Sequence, residues 1–227
     1  MIEVGNINLR LGGLLAAADR FVIKVKGKQT HGSQPWAGVD PVTVAAQIVL
    51  GLQTIVSRQL DLTKEAAVIS VGKITGGVRN NIIPEEVELE GTIRTLDVAM
   101  QDDLHERLRR TATNIAEASG ATAEIEINKF VPVTYNNADL LTKMGSTLKR
   151  VCGEDNVVIS RATTGAEDFA FFANEVPSLF YFLGGRTPSL DPKAAPAHHT
   201  PDFYIDEAGM KLGVRLFCNL VVDYTMK

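Results

Sequence analysis

The chain has 227 residues, 45% hydrophobic and 22% charged, the balance of an ordinary water-facing globular protein with room for one large or two small domains. A net charge of −4 with the two signs interspersed excludes the basic footprint of a nucleic-acid binder. No apolar run reaches the roughly 18 residues of a membrane helix, the N-terminus lacks the pattern of a signal peptide, and two widely spaced cysteines, Cys152 and Cys218, give no disulfide framework, so the expected setting is the cytoplasm, away from membranes.

Residues 21–28 alternate, with Phe21, Ile23 and Val25 on one side and Lys24, Lys26 and Lys28 on the other, as a half-buried strand does. A Gly/Pro-rich turn around His31 follows. Pro41 then opens a helix in which Val44, Ala45, Ile48, Leu52, Ile55 and Val56 form one stripe. Residues 67–74 read as a second strand, punctuated by Gly76-Gly77. Residues 86–95 alternate strictly, placing Val87, Leu89, Gly91 and Ile93 opposite Glu86, Glu88, Glu90, Thr92 and Arg94. Met100, Leu104, Leu108, Ala112 and Ile115 mark a second helix ending near Gly120, with His105 on its charged face, and residues 123–128 give a fourth strand.

The order βαββαβ over roughly residues 20–130 predicts a ferredoxin-like unit. Its strands have one apolar and one charged face, so both helices belong on the apolar face and Arg94 on the open one. Beyond it, the pattern predicts a helix over 137–151, a short strand at 157–160, a helix from about Glu167, a buried strand over 178–183 and a helix over 206–226. Together with residues 1–19 this reads as part of an α/β domain. The expected organisation is therefore 1–19 and 134–227 in a partial catalytic α/β domain, with 20–133 as an inserted ferredoxin-like lid.

Four residues stand out for chemistry. His31 lies in a turn that can hold an imidazole at a fixed angle, ready to donate a hydrogen bond to a developing oxyanion; taken alone it also reads as an exposed loop histidine. Arg94 offers a planar fork that matches a carboxylate, and Asn81 an amide that can orient a carboxylate or amide oxygen; the plainer readings are an arginine paired with Glu88 or Glu90 and a turn asparagine. His199, in the His198-His199-Thr200-Pro201 loop, offers an imidazole of the kind that binds zinc. The Thr164-Gly-Ala-Glu167 stretch has the form of a helix capping box, followed by Asp168.

The segments Ala16-Ala-Ala-Asp19-Arg-Phe, His31-Gly-x-x-Pro35-x-x-Gly38-Val-Asp40-Pro41, Gly76-Gly-x-x-x-Asn81-x-Ile-Pro84, Gly91-Thr-Ile-Arg94-Thr95, Gly165-Ala-Glu167-Asp168-Phe169 and His199-Thr-Pro201-x-Phe203, in that order, resemble the M20 metallopeptidases. The likeness is to their amidohydrolase branch, which includes hippurate hydrolase and the indole-acetic-acid–amino-acid hydrolases. The resemblance implies a dimerising lid on an α/β catalytic domain. It implies that His31 reaches the active site of the other subunit, that Asn81 and Arg94 hold the substrate, and that His199 ligates a divalent metal, zinc or manganese, while His198 does not. The expected substrate is an N-acyl amino acid or small peptide-like amide, and the expected assembly a homodimer through the lid.

The family's other metal ligands and its glutamate general base have no counterpart among these residues. The chain is therefore expected to correspond to the C-terminal portion of such an enzyme, to hold too few ligands for a metal by itself, and to be inactive alone. The alternative reading is a non-catalytic dimerisation or ligand-binding module derived from such an enzyme.

Overall fold

The computed structural model describes residues 1–226. In chain order the first elements are β1 (Ile7–Leu9), β2 (Gly12–Leu15), β3 (Ala17–Lys26), β4 (Thr30–His31), α1 (Pro41–Thr54), β5 (Ala67–Gly76), β6 (Ile82–Ile83) and β7 (Glu86–Thr95). They are followed by α2 (Val98–Ala118), β8 (Thr122–Val131), β9 (Thr134–Asn136), α3 (Ala138–Cys152), β10 (Val157–Ile159), α4 (Phe169–Glu175), β11 (Phe182–Leu183) and α5 (Ala208–Met226). Contacts divide the chain into two compact units: Met1–Leu14, Thr134–Thr163 and Phe169–Lys227 in one, Leu15–Val133 and Thr164–Asp168 in the other.

The second unit is the ferredoxin-like lid. Its sheet runs β5-β7-β3-β8, every pair antiparallel. The alternation seen in the sequence becomes two faces. Phe21, Ile23 and Val25 of β3, Ile69 of β5, and Val87, Leu89 and Ile93 of β7 point one way into a core closed by Val44, Ile48 and Leu52 of α1 and Leu104 and Leu108 of α2. Each fully buried aliphatic or aromatic side chain there contributes about 1.5–3 kcal/mol of transfer free energy. Gly91 lies directly across from Phe21 in the β3–β7 pair, and the Phe21 ring fills the space its side chain would take.

Both lid helices are capped as their sequences ask. The Asp40 carboxylate accepts from the Val42 N–H at 2.9 Å, with Pro41 in the first turn, and the Asp97 carboxylate accepts from the Met100 N–H at 2.7 Å. The opposite sheet face is charged. Glu90 takes Arg20 at 2.9 Å and Lys73 at 3.5 Å, and the Arg20 hydrogen bond holds its carboxyl below the usual range.

The first unit is a small mixed sheet, β10-β1-β11, with β1 parallel to β10 and antiparallel to β11. Ile7 and Leu9 of β1 are fully buried, packed with Leu148 and Val151 of α3 and Leu216 of α5.

Three local expectations are corrected. The apolar run at 178–183 is strand only at Phe182–Leu183, because the buried Asn136 side chain takes both backbone groups of Phe180, accepting its N–H at 2.6 Å and donating to its carbonyl at 2.8 Å. The helix expected from Glu167 starts at Phe169. Residues 164–167 are non-helical, and the Gly165 carbonyl accepts the Ala16 N–H at 2.8 Å, so the Thr164–Glu167 stretch does not act as a capping box. His105, expected on the surface, is almost covered, because its ring turns to a buried carboxylate described below.

Candidate active-site residues of the lid

His31 ends β4, which pairs antiparallel with β6 so that His31 faces Ile82. This pairing brings Asn81 beside the histidine turn: the Gly32 N–H donates to the Asn81 carbonyl at 2.7 Å. The approach is close, since a Cβ on Gly32 would lie 3.1 Å from that carbonyl. Fifty residues apart in sequence, His31 and Asn81 are thus neighbours, and both side chains are exposed.

The imidazole of His31 is held in one tautomer. The Ser33 N–H donates to Nδ1 at 3.1 Å, and the Ser33 Oγ lies 2.7 Å from the same nitrogen. A ring nitrogen that accepts an N–H carries its lone pair, so the proton of the neutral ring sits on Nε2. Nε2 has no partner among the described residues and faces outward as a donor.

Arg94 lies on the open face of β7, half-buried, opposite Ala18 of β3 and Val68 of β5. Of its two expected carboxylate neighbours, Glu90 is occupied by Arg20 and Lys73 and Glu88 does not pair with it. Among the described residues the Arg94 guanidinium has no hydrogen-bond or ion-pair partner. A partly buried arginine left without a carboxylate partner is equipped to take an external one.

Arg94 does not meet His31 within one chain. Lys26, at the end of β3 nearest His31, pairs with Glu86, whereas Arg94 is eight positions further along β7. At strand spacing this is about 27 Å.

A second polar cluster lies inside the lid. The Asp19 carboxylate, fully buried, accepts from the Gln101 side-chain amide at 2.8 and 3.0 Å and sits 2.6 Å from His105 Nε2. It joins β3 to α2. Two signals in the sequence point to it: Asp19 has the same parity as Phe21, Ile23 and Val25, and Gln101 and His105 flank Leu104 on the apolar stripe of α2.

In the other unit, His199 has a left-handed backbone, φ 63°, and an exposed ring. Its neighbour His198 turns instead to Phe203, with ring centroids 4.7 Å apart. Among the described residues no group of three or more His, Cys, Asp or Glu comes together as a metal cage. His199 is therefore a single candidate ligand, and the described residues do not by themselves fit a metal site.

These features define a two-helix, four-stranded lid carried by a chain that also forms α/β structure. Residues 17–120 match the peptidase dimerisation domain of the M20 peptidases. The chain is 32% identical over 221 residues to N-acetylcysteine deacetylase of Bacillus subtilis, covering 97% of this chain and 56% of that protein. It superimposes with a TM-score of 0.87 on a crystal structure assigned as an aminohydrolase from methicillin-resistant Staphylococcus aureus, at 29% identity, covering 100% of this chain and 57% of that one. A dinuclear metal-binding peptidase of the M20 family from Bacillus subtilis gives a TM-score of 0.76 at 28% identity, covering 97% and 53%. The chain thus carries the M20 peptidase dimerisation domain, and its homologues are M20 amidohydrolases. It spans about half the length of the relatives it matches.

Proposed function

We propose that the chain is part of a metal-dependent amidohydrolase that cleaves the amide bond of N-acyl amino acids or small peptide-like substrates. Arg94, with Asn81, holds the carboxylate of the amino-acid portion. His31 donates its Nε2–H to the carbonyl oxygen as negative charge develops there. His199 contributes one ligand to a divalent zinc or manganese ion, which would polarise the amide and the attacking water when bound. On this reading the other ligands and the general base come from the part of the relatives that this chain does not match, and the chain alone is inactive.

The observation that carries the proposal is the unpaired, half-buried guanidinium of Arg94 on the open face of β7, where Glu90 is taken by Arg20 and Lys73. The separation of Arg94 from His31 supports a homodimer through the lid, in which one copy lends His31 to a site holding the other copy's Arg94. Both cysteines are free, in keeping with a reducing cytoplasm, and no helix among the described residues is long and apolar enough to cross a membrane.

Calorimetry of the purified chain with N-acetyl and N-benzoyl amino acids tests the carboxylate role. Binding that weakens at least tenfold in R94A is expected, as is no turnover with added Zn²⁺ or Mn²⁺. Turnover by the chain alone, or binding indifferent to R94A, would sink the reading. The alternative, a non-catalytic ligand-binding module, predicts the same binding but no hydrolysis by any longer form of the protein.

A further inference from the structure

Trp36 is the single tryptophan of the chain, and it is 80% exposed. It sits five residues after His31 in a 3₁₀ turn, Pro35–Ala37. An indole is a large apolar body, and leaving it in water forgoes more burial than almost any other side chain.

The turn that carries it is built to stay in place. The Gln34 N–H donates to the His31 carbonyl at 2.8 Å, the Ala37 N–H to the Gln34 carbonyl at 3.0 Å, and the Gly38 N–H to the Pro35 carbonyl at 3.2 Å. Val39 and Lys28 exchange both backbone hydrogen bonds, at 3.1 and 2.9 Å, closing the base of the loop. Gly38 is wedged there, because a Cβ would lie 2.4 Å from the Lys28 carbonyl oxygen. The loop therefore loses little freedom when something packs on it. Tryptophan is enriched among the residues that carry most of the binding energy of protein interfaces.

We propose that Trp36 is an anchor by which the His31 turn docks on a second copy of this chain. This rests on the dimer reading above and names the residue that fixes it. Three observations select a second copy as the occupant. Trp36 lies within residues 17–120, which match a dimerisation domain. It shares one hydrogen-bonded turn with His31. And His31, on the β4–β6 pair, lies past the end of the four-stranded sheet that is far from Arg94, so on the proposed function the site is incomplete without a copy to bring them together. Docking of Trp36 places the neighbouring imidazole in the partner and withdraws the indole from water in the same step.

Because no other tryptophan is present, emission of the full chain reports on Trp36 alone. The experiment measures emission and acrylamide quenching over a concentration series, with sedimentation run in parallel. The expected result is a dimer whose emission shifts to shorter wavelength and whose quenching constant falls at least threefold as it forms. The variant W36A should dimerise at least tenfold more weakly with an unchanged circular dichroism spectrum, and W36F should recover part of the loss. A dimer in which Trp36 stays as quenchable as in the dilute monomer, or in which W36A associates normally, overturns the anchor and leaves the dimer reading standing. A chain that stays monomeric at every concentration overturns both.

Discussion

Arg94 lies on β7 of the four-stranded sheet, eight positions from Glu86, and His31 lies on the separate β4–β6 pair, past the Lys26–Glu86 end of that sheet. No side-chain rotation in a single lid spans about 27 Å. Any site that uses both must draw them from two copies related by symmetry. Subunit mixing checks this in a catalytically competent form of the protein. H31A and R94A are each expected to lose at least a hundredfold in kcat/KM. Mixed in equal amounts and allowed to exchange, they should recover about a quarter of wild-type activity, since half the dimers then hold one intact site of two. Activity that remains at the level of the separate variants would place both residues in one chain.

The Asp19 carboxylate is buried against Gln101 and His105. Asp19→Ala leaves two buried polar groups without their acceptor and is expected to cost about 2–4 kcal/mol of lid stability in urea unfolding. His105→Phe, which keeps the volume but removes the hydrogen bond, should cost less. A loss under about 0.5 kcal/mol for Asp19→Ala would show that the cluster is not structural.

At Gly91 a methyl group would meet the Ser70 carbonyl oxygen at 2.2 Å and the Phe21 ring at 2.3 Å. The first contact is with the backbone of a paired strand, which cannot step aside. Gly91→Ala is expected to destabilise by about 3 kcal/mol or more, or to prevent accumulation of folded protein. Gly72, whose added Cβ meets nothing within 4 Å, is the control. Equal melting temperatures for the two alanine variants would contradict the packing of Phe21.

Burial pushes the Tyr181 phenol up to about 12, and its hydroxyl has no hydrogen-bond partner among the described residues. An unfolded tyrosine loses its proton near 10. Between about pH 10 and 12 the unfolded chain therefore binds fewer protons than the folded one, so stability falls as pH rises and the fall levels off above about 12. Tyr181→Phe is expected to remove this component and, near neutrality, to be neutral or stabilising by up to about 1 kcal/mol. The check is the difference between the two stability-versus-pH curves, which should open only on the alkaline side.

The lid was legible in the sequence because its periods are clean. Alternation at 86–95 put Val87, Leu89 and Ile93 on one face and Arg94 on the other, and a strand cannot turn one residue without turning them all. The segment at 178–183 was less legible. Its apolar content is that of a strand, but a single side chain, Asn136, captures the backbone of Phe180 from 44 residues away. His105 was misplaced for a related reason: a polar residue on a helix stripe reads as surface until its partner on another element is known, and Asp19 is 86 residues distant.

The order of residue types along the chain was enough to set the strand and helix faces, the family resemblance, and the identity of His31, Asn81, Arg94 and His199 as candidates, since periodicity and motif are local properties. Distances between elements are not local. Only tertiary structure decided that β4 and β6 would seat Asn81 beside His31, that Ser33 would leave the imidazole proton on Nε2, that Glu90 would be spent on Arg20 and Lys73, and that Arg94 would stand unpaired at the far end of the four-stranded sheet.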